Sequence, residues 1–344
     1  MKLLADWQSA GPLLMLWPYR DDVWRGQAAP VQRQLLQALT AIAQHHPVCL
    51  GVHPPQLHSA LSLIPASIPC FPIAYDDIWV RDIAPLYLSY AQQVTAIAGA
   101  FNGWQGINAQ HQRDRRFARR LTARHGLRLT ALPLVFEPGM LSHDGNGTAV
   151  VHGRSLQARN PAKRRSELSQ LLSKSFGFSR MIWLENALAA DETGGHTDNQ
   201  LQFIAEDTIA FVKSSTDECW NRELRRLRQS AWAKEYRWLE LPAARPVSDP
   251  ALNYADVRRR PGVLQRGAAP LLCSYANLVR LPTALVVPQF GLTDDSKAVD
   301  VLQRAFPKLA IVAVDAMEFV RGGGGPHCLT ATLPDSCRMA SYNA

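Results

Sequence analysis

Short apolar, β-branched runs alternate with helical patterns along most of the chain, and this alternation limits the fold more than any other feature. Candidate strands are VCLGV (48–52), IWVRD (78–82), TAVVHG (148–153), MIWLEN (181–186), QLQFIA (200–205), TIAFVK (208–213), ALVVPQ (284–289), AIVAVD (310–315) and CLTATLP (328–334). The clearest helix is DDSKAVDVLQRAF (294–306). It puts Ala298, Val301, Leu302, Ala305 and Phe306 on one face, with Asp294 as the expected N-cap. Strand, helix and strand in that order predict an α/β or α+β protein. No Pro-, Ser- or Gly-rich linker divides the 344 residues, so a single compact domain over 1–344 is expected. Strand-and-turn units recur weakly at a spacing of about 60 residues.

Composition removes several classes. An apolar fraction of 47% is too high for a disordered chain, and no apolar run approaches the ~18 residues of a membrane helix. Asp6, Gln8 and Ser9 break the first apolar stretch, so no secretory signal is expected and the cytoplasm is the expected compartment. The six cysteines lack the close spacing of a disulfide framework or a zinc site, and no metal is expected. The net charge of +8 gathers in stretches from His111, Ala158 and Asn221. The first and third interleave arginine with Phe117, Leu121, Leu224 and Leu227 at helical spacing. They read as amphipathic helices with a solvated face, not as a nucleic-acid surface.

Four places combine reactive residues with glycine or a strand end. In RGGGGPHC, a glycine run delivers Cys328 to the start of an apolar run, which suits a presented thiolate as well as a buried structural cysteine. His196 and Asp198 stand two apart in DETGGHTDN; on an extended backbone they would share a face, and the other reading is a turn in which Asp198 caps backbone amides and His196 is exposed. Asp82 closes IWVRD, and Glu137 follows LPLVF. The steps from Asp82 to Glu137, His196 and Cys328 are 55, 59 and 132 residues, the last about two units of the weak repeat. Facing carboxylates repel unless a cation lies between them. A planar guanidinium fits two of them, and its resonance-stabilised carbon needs a nucleophile as strong as thiolate. The chemistry inferred is hydrolysis of a guanidine C–N bond.

These motifs, with WPYRDDVWRG, DDIWVRDIAP, FEPGMLSHDGNGT, the ARNP at Ala158 and SYANLVRLPTALVVPQFG, resemble the agmatine deiminase family, alias the bacterial peptidylarginine deiminase type. The resemblance implies a five-bladed α/β propeller of ββαβ units, the pentein fold, and a mechanism without cofactor or metal. It implies Cys328 as nucleophile, Asp82 and Asp198 as clamps on the guanidinium, His196 as acid and base, Glu137 orienting His196 and holding a guanidinium nitrogen, and Trp79 beside the substrate. The implied reaction takes agmatine and water to N-carbamoylputrescine and ammonia, a step toward putrescine. A peptidyl-arginine or another arginine derivative is the alternative substrate, and a different Cys–His hydrolase the alternative enzyme. The partner implied is a small cationic guanidino compound, with no nucleic acid or membrane, and a homodimer stays open. The chain departs from the family pattern at Tyr19, Pro138, His143 and Pro326. For a cationic substrate, an acidic mouth is expected around Asp76, Asp77, Asp82, Glu137, Asp191, Glu192 and Asp198.

Overall fold

The computed structural model describes residues 2–91 and 93–337, so the expected domain bounds of 1–344 reach beyond the described residues at both ends. Among the described residues the strands form five sheets, and each contains the same unit. Two antiparallel strands are followed by a helical connection and a third strand parallel to the second. In chain order the units are Leu86–Tyr90, Gln93–Ala100 and Leu129–Val135; Leu141–His143, Thr148–His152 and Arg180–Leu184; Leu201–Ala205, Thr208–Ser214 and Arg237–Val247; and Val279–Arg280, Ala284–Gln289 and Ala310–Asp315. The fifth joins the two ends of the described chain. Ala331–Thr332 runs antiparallel to Leu13–Leu16, which is parallel to Val48–Val52.

The middle strands Leu13–Leu16 and Thr148–His152 are buried at every residue, as parallel strands covered on both faces must be. The helices Ala29–Ala43, Phe117–Arg124, Arg165–Phe176, Glu218–Gln229 and Asp295–Ala305 lie in the crossovers. Phe117 and Leu121 face inward from one, and Trp220 and Leu224 from another, leaving most of the arginines of both outside. Among the described residues no helix is long and apolar enough to cross a membrane.

Most expected strands form within a residue or two of their expected ends, but two do not. IWVRD contains the short helix Val80–Ile83 in place of a strand. Its apolar residues are buried either way, and a short buried run carries no period that separates the two states. Pro85 then forces Ala84 into the extended region and ends the helix. In CLTATLP only Ala331–Thr332 pairs, because Cys328 belongs to a turn in which Leu329 N donates to Gly325 O and Thr330 N to His327 O. Asp294 stands at the N-cap position without capping. Its carboxylate is taken by Lys297 at 2.9 Å and by Arg245.

Candidate active site

Each expected reactive residue lies on a connection between two sheets. Asp82 sits in Val80–Ile83, between Cys70–Pro72 and Leu86–Tyr90. Glu137 follows Leu129–Val135, and His196 and Asp198 lie between Arg180–Leu184 and Leu201–Ala205. Cys328 lies between Ala310–Asp315 and Ala331–Thr332. The remaining connection, between Leu271–Cys273 and Val279–Arg280, carries Asn277, which sequence reasoning missed. Asn277 Nδ2 donates to Cys328 Sγ at 3.2 Å, and its Oδ1 accepts from His327 N at 2.9 Å. The signal was the 132-residue step from His196 to Cys328, twice its neighbours, with SYANL in the gap.

The structure brings all six expected residues together. Trp79, Asp82, His196 and Cys328 line one pocket; Asp198 stands behind the thiol and Glu137 behind the imidazole. The glycine run is needed for close approach. A Cβ on Gly324 would fall 2.6 Å from the Trp79 ring, and one on Gly325 would fall 2.5 Å from Asn277 Oδ1. Of the two readings left open for His196 and Asp198, the segment is a turn and not a strand, but His196 is buried within it. Thr197–Asn199 is a 3₁₀ turn, formed because Asp191 accepts from His196 N at 2.8 Å and from Asn199 Nδ2 at 3.1 Å and curls the loop back. Tyr19, Pro138, His143 and Pro326 do not line the pocket.

The cysteine thiol lies 3.8 Å from Asp198 Oδ2, which also accepts from His327 Nδ1 at 2.8 Å. Asp198 Oδ1 is buried and has no hydrogen-bond partner among the described residues. Asp82 accepts from Trp104 Nε1 at 2.8 Å and from Gly139 N at 3.0 Å, and its Oδ2 lies 3.8 Å from His196 Nδ1. The other imidazole nitrogen meets Glu137 Oε2 at 2.9 Å, and Arg159 grips both Glu137 oxygens at 2.8 and 3.1 Å.

These neighbours set the charges. Burial opposes a charged His196, but Asp82 and Glu137 outweigh it and raise the imidazole to about 10. Burial pushes Glu137 up, yet its bonds to His196 and Arg159 hold it below the ordinary carboxylate value. Burial likewise works against Asp198, and the His327 contact lowers it. Asp82 is raised by burial, with Glu137 and Asp198 adding to the rise against His196. Burial, then the charges of Asp198 and Asp82, push the Cys328 thiol well above its ordinary value.

The acidic mouth is smaller than expected. Asp76 is paired with Arg113, Asp77 with Arg20 and Glu192 with Arg266, while Asp191 is spent on its own loop. Asp82 and Asp198 remain as the carboxylates without an arginine in direct contact, which was not readable from composition. Among the described residues no group of three His, Cys, Asp or Glu side chains is placed to hold a metal ion.

Arg159, within ARNP, belongs to one of the three basic stretches of the sequence, yet it is buried. Arg159→Ala is expected to cost about 3–5 kcal/mol of stability, because it leaves Glu137 buried with one of its two cationic partners gone. Denaturant unfolding measures this, and a change under about 1 kcal/mol would contradict it.

The sequence matches the model of the Porphyromonas-type peptidyl-arginine deiminase family over residues 2–334. A Yersinia pestis protein named "Putative agmatine deiminase" is 30% identical, covering 96% of this chain and 94% of its own. The solved agmatine deiminase of Enterococcus faecalis superposes with a TM-score of 0.90 at 24% identity, over 97% of this chain and 95% of that one. A Porphyromonas gingivalis structure named "Putative Arginine Deiminase" gives 0.83 at 27% identity, over 98% and 99%.

Proposed function

The chain belongs to the Porphyromonas-type peptidyl-arginine deiminase family, and from that premise we propose that it hydrolytically deiminates a guanidino compound, agmatine being the substrate its relatives' names put first. The observation that carries this reading is the buried Asp198 Oδ1, unpartnered among the described residues, on the carboxylate beside the Cys328 thiol, with Asp82 lining the same pocket as that thiol. A buried acceptor without a donor is costly unless a ligand supplies one. A guanidinium supplies several, and its positive charge offsets two carboxylates at once.

In this reading Asp82 and Asp198 hold the guanidinium nitrogens while Trp79 covers the plane. The arriving cation offsets the acidic field that keeps the thiol neutral, so the thiol gives its proton to solvent and the thiolate forms beside substrate. Sulfur adds to the guanidinium carbon, and the C–N bond breaks as protonated His196 gives its proton to the departing ammonia. The neutral imidazole then takes a proton from water, whose oxygen attacks the thiouronium and releases the ureido product and sulfur. Glu137, fixed by Arg159, holds the imidazole in place. The five sheets are read as blades around an axis on which their connections converge, in a cytoplasmic enzyme acting without a cofactor on a small molecule. The test is ammonia and ureido product from agmatine, with a substrate-derived adduct on Cys328 after acid quench. Turnover without any adduct would remove the covalent step.

The pH profile follows from the same groups. Activity needs His196 protonated and Asp82 ionised. kcat/KM is therefore expected to fall on the alkaline side as pH passes about 10, and on the acid side at a pH above the ordinary aspartate value. Because the folded imidazole is raised, its contribution to stability is complete below about 6.5 and is lost as pH climbs toward 10. An alkaline limb near 7 would contradict this assignment.

A further inference from the structure

Glu192 and Arg266 both line the pocket that contains Cys328, and they are paired at 2.6 Å. Gly323 presses on this pair, since a Cβ there would lie 2.5 Å from Arg266 Nη1 and 2.8 Å from Glu192 Oε2. The next residue of the same loop, Gly324, abuts Trp79 and Cys328. Successive residues of one loop thus touch the pair and the cysteine, which line the same pocket.

Arg266 is delivered there deliberately by the backbone. Leu264 N donates to Ile107 O at 2.8 Å, Ala109 N donates to Gly262 O at 2.7 Å, and Asn108 bridges Val263. The side chain is only 6% exposed, and Nη1 serves Glu192. Its Nε is buried without a hydrogen-bond partner among the described residues. An ion pair formed only to satisfy Glu192 would not account for that second donor. The Nε–Nη2 edge of a guanidinium is the fork that takes a carboxylate bidentately.

Arg266 also lines a second cavity of about 630 Å³, with Tyr254, Arg258, Arg259, Arg260 and Gln265. Asp22 is the one acid among the residues lining it, and Arg20 and Arg260 hold it at 2.9 and 3.1 Å. The space beyond Arg266 is thus basic, where an ammonium tail would meet repulsion and an anionic tail attraction. The net charge of +8 acts in the same direction at longer range.

We propose that Arg266 reads the far end of the substrate and selects a guanidino compound whose tail carries a carboxylate over one whose tail carries an ammonium group. This rests on the deimination reading above and narrows it, turning the choice toward arginine derivatives with a free or neighbouring carboxylate. Glu192 is pre-neutralised in this arrangement, so it offers an incoming ammonium little.

The test is kcat and KM of the full chain on four compounds: agmatine, the uncharged-tail butylguanidine, 5-guanidinopentanoate and Nα-acetylarginine. Wild type is expected to favour the carboxylates over agmatine by about tenfold or more in kcat/KM, a difference of about 1.4 kcal/mol. Arg266→Gln is expected to raise KM for the carboxylates by about 10- to 100-fold while leaving kcat on butylguanidine within about twofold. Agmatine preferred by wild type, or a loss in the variant that falls equally on every tail, overturns the assignment and leaves deimination standing. Turnover of none of the four removes the deimination reading as well. Should Arg266→Gln fail to fold, the wild-type ranking decides the matter without it.

Discussion

Cys328→Ala is expected to lower guanidine hydrolysis by about 10⁴-fold or more while the protein remains folded. The substitution deletes one sulfur atom from a buried site, a change expected to cost about 1 kcal/mol or less. The chemistry loses far more, because the guanidinium carbon is resonance-stabilised and no other cysteine lines the pocket. Cys49, Cys70, Cys273 and Cys337 are buried elsewhere, and burial pushes their thiols up. Ammonia release should fall to background and the covalent adduct should disappear, with unchanged circular dichroism. Retention of more than about a tenth of the activity would exclude Cys328 as nucleophile.

Asp198→Asn separates the present reading from an ordinary Cys–His hydrolase. The amide keeps the volume and the contact to His327 but removes one of the two negative charges offered to the guanidinium. A loss of about 10²–10⁴-fold in kcat/KM is expected, as for removal of a preorganised charge at a reacting centre. The same substitution should change thiol reactivity in the opposite direction. Asp198 is, after burial, the largest cause of the raised Cys328 value, so its removal should lower the thiol and speed alkylation at pH 8. Faster alkylation with slower catalysis is the expected signature. An enzyme that needs only a cysteine and a histidine would keep its activity, and unchanged hydrolysis in this variant would falsify the clamp.

The residues proposed to react could be singled out because their chemistry is carried by side-chain type and by position beside glycine or at the end of an apolar run. Cys328, His196, Asp198, Glu137 and Asp82 needed no tertiary information to be singled out. Asn277 was not, since an asparagine in an apolar context has no local mark. Only its place on the fifth connection, against the cysteine sulfur, distinguishes it. Arg159 was hidden for the opposite reason. It sits in the basic stretch from Ala158, where the sequence assigned it no role, and only the fold shows it buried against Glu137.

The acid inventory makes the same point. Seven carboxylates were counted as the mouth, yet Asp76, Asp77 and Glu192 are each matched by an arginine from distant sequence, at 2.7, 3.0 and 2.6 Å. Pairing depends on which side chains meet across connections, and a charge count along the chain holds no trace of it.

By itself the sequence determined the alternation of strands and helices, and it singled out the five groups proposed to react and the order in which they occur. Apolar period, turn residues and side-chain chemistry act within a few residues, and they survive in the linear text. Tertiary structure alone decided that IWVRD turns as a short helix, that Asp294 binds cations instead of capping, and which carboxylates keep an unmatched charge. Those outcomes are settled by burial and by partners tens to hundreds of residues away, where the cost of an unpaired buried charge outweighs local preference.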